Sequence, residues 1–154
     1  MADRIRRLED IEAIRNLIAA YGPLADSGDA KGVAALWSEN GAYDVGGFGV
    51  ANGHSEIAAL ITGETHQNLM AQGCAHILSP HHIVLDGESA IATGYSTVFR
   101  KVGDSYEPWR VAFNRWELKR QAEGKWLVER RVNRPVDGSP PEFSISPPIG
   151  RHQQ

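Results

Sequence analysis

The chain has 154 residues, enough for one domain with a buried core. Hydrophobic residues make up 42% and charged residues 23%, an ordinary globular balance, and a net charge of −3 gives no reason to expect nucleic-acid binding. No apolar stretch approaches the roughly 20 residues that span a bilayer, and Cys74 is alone, which excludes an internal disulfide and a cysteine-based metal cluster. The N-terminus carries no signal-peptide core, so the default expectation is a cytoplasmic protein.

From Ile5 the apolar residues Ile5, Leu8, Ile11, Ile14, Leu17, Ile18 and Tyr21 recur at three and four residues, the stripe of one long helix. Gly22-Pro23 is expected to loosen or kink it, because proline removes a donor and crowds the preceding turn. Asp29 is a candidate N-cap for a short helix through Val33, Leu36 and Trp37. Glu39-Asn40-Gly41 then turns into a short strand, Ala42 to Val45, and Gly46, Gly47 and Gly49 make a flexible or tightly bent link. Ser55 to Ile61 reads as a third helix and Glu64 to Gln72 as a fourth.

Four runs rich in β-branched and aromatic residues follow: Ile77 to Leu85, Ala90 to Arg100, Val111 to Arg120 and Trp126 to Val132. Asp86-Gly87-Glu88 separates the first pair and Ala122-Glu123-Gly124 the last, both hairpin signals. Helices followed by hairpin-connected strands predict an α+β domain over residues 1–135. A proline-rich tail, 136–154, is expected to have little regular structure. A sheet curled over the long helix would enclose an apolar cavity rather than a solid core.

Three residues have the chemistry for a proton-transfer site. Asp26 follows the N-terminal helix, His76 opens a strand, and Arg131 closes the last one. A carboxylate beside an imidazole fixes its tautomer and steadies its charged form, and a fixed guanidinium stabilises developing negative charge. By residue type alone, Asp26 reads more readily as a turn residue bonding nearby amides, and His76 as a satisfied strand histidine. Strict alternation places Arg131 on the face of Leu127 and Glu129, with Arg130 as its competitor. Asn114, a polar amide in an apolar strand, must be satisfied or functional. His81 and His82 point to opposite faces and lack metal-ligand spacing, so no metal is expected.

In order and spacing, Tyr21-x4-Asp26-Ser27-Gly28-Asp29, Ala34-Ala35-Leu36-Trp37, His76-Ile77-Leu78 and Leu85-Asp86-Gly87-Glu88 resemble the SnoaL-like branch of the NTF2-like superfamily. Arg115-Trp116-Glu117-Leu118 through Trp126 to Arg131 fits the same pattern, and the resemblance covers roughly Ile5 to Pro135. The nearest likeness is to scytalone dehydratase, bile acid 7α-dehydratase and the dehydrochlorinase LinA. This implies a cone in which N-terminal helices pack in a strongly curved mixed or antiparallel sheet around an apolar cavity. It also implies an Asp26–His76 dyad, with Tyr21, Asn114 and Arg131 at positions used by those enzymes. The second pocket histidine of scytalone dehydratase has no counterpart between Phe99 and Lys101.

The implied function is a cofactor-independent lyase, a dehydratase or dehydrohalogenase, acting on a small apolar cyclic substrate. Trp37, Tyr43, Phe48, Phe113 and Trp116 are the candidate lining. The same base would serve an isomerase or polyketide cyclase, and the fold also hosts non-catalytic binding or subunit modules. A homo-oligomer is expected because a one-sided curved sheet leaves an apolar outer face, and the resemblance implies a trimer or a dimer.

Overall fold

A computed structural model describes residues 1–138, so the proline-rich tail expected at 136–154 lies, beyond Gly138, outside the described residues. The elements are α1 (Ala2–Asp26), α2 (Ala30–Ala34), β1 (Trp37–Val45), β2 (Gly49–Asn52), α3 (Gly53–Thr62) and α4 (Glu64–Gln72). They continue as β3 (Cys74–Leu78), β4 (His82–Asp86), β5 (Ser89–Val102), β6 (Ser105–Arg120) and β7 (Trp126–Pro135). The strands form one sheet in the order β2-β1-β7-β6-β5-β3, and β4 also pairs with β5. Every pairing is antiparallel except β1 with β7, which is parallel. This is the mixed sheet of an α+β cone, with register shifts in β1, β5–β6 and β6–β7 that bend it around the helices.

Helix α1 corrects two expectations. It does not stop at Gly22-Pro23 but runs on to Asp26. Proline sacrifices one N–H, and the packing of the surrounding turn outweighs that loss; Tyr21, Gly22 and Ala25 are all buried. The chain then turns at Gly28, whose φ of +74° lies in the left-handed region. The apolar stripe also buries less than expected: Ile14 and Ile18 are core, whereas Ile5 and Leu8 are exposed.

Gly22 has a particular function in this packing. The His76 carbonyl of β3 lies so close that a Cβ at residue 22 would overlap its oxygen. Only glycine lets the helix and strand approach this far, and the approach brings the end of α1 against β3.

Trp37 opens β1 rather than closing α2. Its indole donates to the Ala42 carbonyl at 3.1 Å, and its ring stacks on Tyr43 with centroids 5.5 Å apart. The glycine-rich link expected after Val45 is a tight turn into β2, which pairs back on β1. The run expected from Ile77 to Leu85 is broken at Ser79-Pro80-His81, where proline cannot donate to a ladder. β3 and β4 therefore pair with different parts of β5, His76 opposite Val98 and His82 opposite Thr93. The Asp86 and Ala122 turns close the hairpins as their residues predict.

At the opposite end, Asp10 is a buried anchor. Its carboxylate accepts from the Arg120 guanidinium and from the Trp126 indole, tying α1 to β6 and β7. Burial pushes this carboxyl up, but those hydrogen bonds and the nearby charge outweigh it, and the group is held below its ordinary range.

Candidate active site

Asp26 closes α1 and meets β3 through both oxygens. Oδ2 accepts the His76 backbone N–H at 2.9 Å, and Oδ1 contacts His76 Nδ1 at 2.6 Å. A carboxylate accepts only, so Nδ1 carries the proton and Nε2 of the neutral ring is left as the acceptor. The backbone bond fixes the strand and the side-chain bond fixes the ring, so the imidazole has little freedom to swing. Burial pushes the Asp26 carboxyl up, but the two His76 hydrogen bonds prevail and hold it below its usual range.

Cys74 completes the cluster, its thiol lying 3.6 Å from Asp26 Oδ1. The Asp26, Cys74 and His76 donor atoms all lie within 4.8 Å of one another, close enough for a metal set. Both Asp26 oxygens are already engaged by protons of His76. Burial, then the Asp26 charge, pushes the thiol up to about 11, keeping it protonated. The trio therefore reads as a hydrogen-bonded cluster centred on Asp26.

Arg131 reaches the cavity from another strand, β7. The irregularity in β7 pairs Val128 with Leu118 and Arg130 with Glu117, leaving Glu129 unmatched. Its inner face consequently passes from Trp126 and Val128 to Arg131 and Asn133, which corrects the placement of Arg131 beside Leu127 and Glu129. Arg130 instead faces outward and pairs with Asp44 at 3.2 Å. Arg131 is 2% exposed, its guanidinium carbon 4.1 Å from the Trp116 ring centre, 4.3 Å from Tyr21 and 4.5 Å from Tyr43. Its Nε donates to Asn114 Oδ1 at 2.9 Å, while Nη1 is buried with no hydrogen-bond partner among the described residues.

The cavity, of about 290 Å³, is lined by Tyr21, Tyr43, Phe48, His76 and Arg131, with Leu60, Ile61, Leu69, Leu78 and Val98 supplying apolar surface. Five of the expected residues thus meet there, and Asp26 stands behind His76. The remaining candidates for the lining are placed elsewhere. Asn114 is fully buried behind Arg131, donating to Ser96 Oγ at 2.8 Å. Trp37 and Trp116 are fully buried beneath Tyr21 and do not line the cavity. Phe113 alternates onto the other face of β6 and packs on Tyr95.

His66 and Arg110 are among the lining residues that the sequence does not single out. His66, on α4, sits with its ring centre 5.5 Å from that of His76, and its Nε2 donates to the Ala25 carbonyl at 2.6 Å. Burial pushes its pKa down, so it is a neutral neighbour that does not compete with His76 for charge. Arg110, on β6, donates to Asn133 Oδ1 and to the Gly46 carbonyl. Neither stands in a pattern, because each reaches the cavity only through the arrangement of distant elements. His81, by contrast, is satisfied structure: Nδ1 donates to Ser79 O at 2.6 Å and Nε2 accepts from the Trp116 indole at 3.1 Å.

The site couples to stability through acid. Asp10, Asp26 and Asp44 are all held below the ordinary carboxylate range, Asp44 chiefly by its hydrogen bond from Arg134. Depressed carboxyls contribute stability that is fully present above the unfolded value of about 3.9 and is lost as pH falls through the folded values. The urea midpoint of the wild type should therefore drop below about pH 4, and Asp26→Asn should lose less over the same interval. An equal acid loss in the variant would remove Asp26 from this linkage.

Comparison with known proteins places the chain. The family model described as a SnoaL-like domain matches residues 6–132. A crystal structure of an NTF2-like protein with a cystatin-like fold from Novosphingobium aromaticivorans is 51% identical, with a TM-score of 0.87 over 90% of this chain and 89% of that one. At the level of fold alone, ActVI-ORFA from Streptomyces coelicolor is 20% identical with a TM-score of 0.72, over 81% of this chain and 96% of that one. A Catenulispora acidiphila protein in complex with S-DNPA is 19% identical with a TM-score of 0.70, over 80% of this chain and 91% of that one. No curated protein matches the chain.

Proposed function

From the premise that this chain belongs to the SnoaL-like domain family, with its NTF2-like fold, we propose that it is a cofactor-independent lyase. The observation that carries the reading is the 2.6 Å contact between Asp26 Oδ1 and His76 Nδ1 at the wall of an apolar cavity. His76 Nε2 takes a proton from a ring carbon next to the one bearing a leaving group, and Asp26 steadies the imidazolium. The C–H electron pair becomes the new C=C bond, and the leaving group departs with its own pair. In a dehydration the imidazolium proton goes to the departing hydroxide, releasing water and restoring neutral His76. In a dehydrohalogenation halide leaves and the proton passes to solvent.

Arg131 supplies the electrostatic half. Its Nη1 is a buried donor awaiting an acceptor, and rings on three sides keep water from it. Such a fixed donor is most effective where charge develops. Burial, foremost, pushes the Tyr21 phenol well above its usual range, so Tyr21 serves as a neutral wall and donor rather than a base.

The substrate class this supports is a small apolar ring. The test is turnover of β-hydroxy and β-halo cyclic compounds without added cofactor, with products identified and His76→Ala run in parallel. Alkene with water or halide supports a lyase. An isomer or a new ring with nothing eliminated would reassign the same base to isomerisation or cyclisation. Binding with no turnover anywhere in the series would make the chain a binding module.

We further propose that the chain works as a homo-oligomer. Ile77, Tyr95, Val102, Tyr106 and Val111 leave a band of exposed apolar surface on β3, β5 and β6. Sedimentation at micromolar concentration should give a dimer or trimer, and charged substitutions at Tyr95 and Val111 should dissociate it. A clean wild-type monomer overturns the proposal.

A further inference from the structure

Arg110 and Arg131 line the same cavity, and neither makes an ion pair among the described residues. Neutral groups hold both. Asn133 Oδ1 accepts from Arg110 Nη2 at 2.6 Å and Nε at 3.3 Å, and Gly46 O accepts from Nη2 at 2.6 Å. Asn133 Nδ2 in turn donates to Asn114 Oδ1 at 2.9 Å, the oxygen that receives Arg131 Nε. A chain of two amides therefore links the guanidiniums and fixes their planes.

An amide oxygen orients a guanidinium without neutralising it. Two like charges in an apolar cavity repel, and each costs desolvation energy that no carboxylate among the described residues offsets. Glu64 is the one acidic residue among the described lining, and it is exposed. Asp26 is committed to His76. The donors also remain unspent. Arg131 Nη1 is buried without a partner, and Arg110 Nη1 makes no hydrogen bond among the described residues. Arg110 further lies with its guanidinium carbon 5.4 Å from the ring centre of Phe48, which is 52% exposed, so it stands toward the outer part of the cavity while Arg131 lies deep.

We infer that the cavity selects a ring substrate bearing its own carboxylate, seated on Arg110, and leaves Arg131 free for the charge that develops during elimination. Guanidinium suits this task because its planar fork matches a carboxylate, and the amide chain holds that fork ready. An uncharged ring would leave both cations uncompensated. This assignment rests on the lyase reading for the role of Arg131, but the seat at Arg110 is a matter of binding and is testable without turnover.

The test is calorimetric titration of the full chain with benzoate and cyclohexanecarboxylate, against benzamide and cyclohexanecarboxamide of the same shape. Chloride and inorganic phosphate are run alone at matched ionic strength. The carboxylates should bind at least about tenfold more tightly than the amides, a difference of 1.4 kcal/mol. Arg110→Gln should abolish that preference while binding the amides as the wild type does, and Arg110→Lys should keep part of it. Unchanged amide binding also reports that the Gln variant is folded. Amides binding as tightly as carboxylates, a preference that survives in Arg110→Gln, no ring binding at all, or inorganic anions binding as well as the ring carboxylates would each overturn the inference. His76→Ala should retain the carboxylate preference. Preference without turnover in the wild type would sink the lyase reading alone, and turnover confined to neutral rings would sink this one alone.

Discussion

His76→Ala is expected to lose about two to four orders of magnitude in turnover, the span ordinarily contributed by a positioned general base. The loss should appear in kcat more than in KM, because the imidazole acts on the proton rather than on the ring as a whole. Asp26→Asn should lose less. The amide still offers an oxygen to His76 but no charge to steady the imidazolium, and its NH₂ competes with the donors that Oδ1 and Oδ2 now accept. The fold should survive His76→Ala, since His76 keeps its backbone bond to Asp26 and its pairing opposite Val98. A variant turning over at the wild-type rate would remove His76 from the chemistry.

Gly22→Ala is the second large effect, and its sign is set by competition. In an exposed helix interior, replacing glycine by alanine gains about 1 kcal/mol. Here the added methyl would overlap the His76 carbonyl oxygen, a backbone atom that cannot swing aside as a flexible side chain would. Overpacking of this kind costs about 1–3 kcal/mol and more where backbone must move. We expect net destabilisation of about 2 kcal/mol, together with loss of turnover as the dyad is pushed apart. Urea unfolding and turnover measured on the same preparation check both. A variant more stable than the wild type and equally active would mean that the helix and strand can separate at no cost to the site.

The dyad and the glycine illustrate what could be read in the chain. Asp26 and His76 were identifiable as a pair through resemblance, but their contact depends on α1 continuing through Pro23, where local rules place a break. The proline rule describes an isolated helix, and tertiary packing overrides it here. The α+β class was legible because the turns at Asp86-Gly87-Glu88 and Ala122-Glu123-Gly124 carry their own chemistry. Trp37 was misplaced because apolar residues at helical spacing also fit the opening of a buried strand. Asn114 followed simple alternation and lies inside, as that rule requires.

Arg131 shows the limit of alternation. One unmatched residue in β7 moves every later side chain to the other face, and nothing in Trp126 to Arg131 marks where that happens. With the bulge in place, Arg131 and Asn133 turn inward, and Arg130 is left to Asp44. His66 and Arg110 were illegible for a related reason. Their relation to His76 and Arg131 spans elements far apart in the chain, and no local spacing encodes it.

The most direct measurement is the fate of one hydrogen. Cyclic β-hydroxy and β-halo compounds deuterated at the ring carbon next to the one bearing the leaving group are incubated with wild type and His76→Ala, and the products are weighed by mass spectrometry. Wild type should eliminate with loss of the label, and His76→Ala should release none above the background rate. Equal release of deuterium by the two proteins would contradict the assignment of His76 as the base.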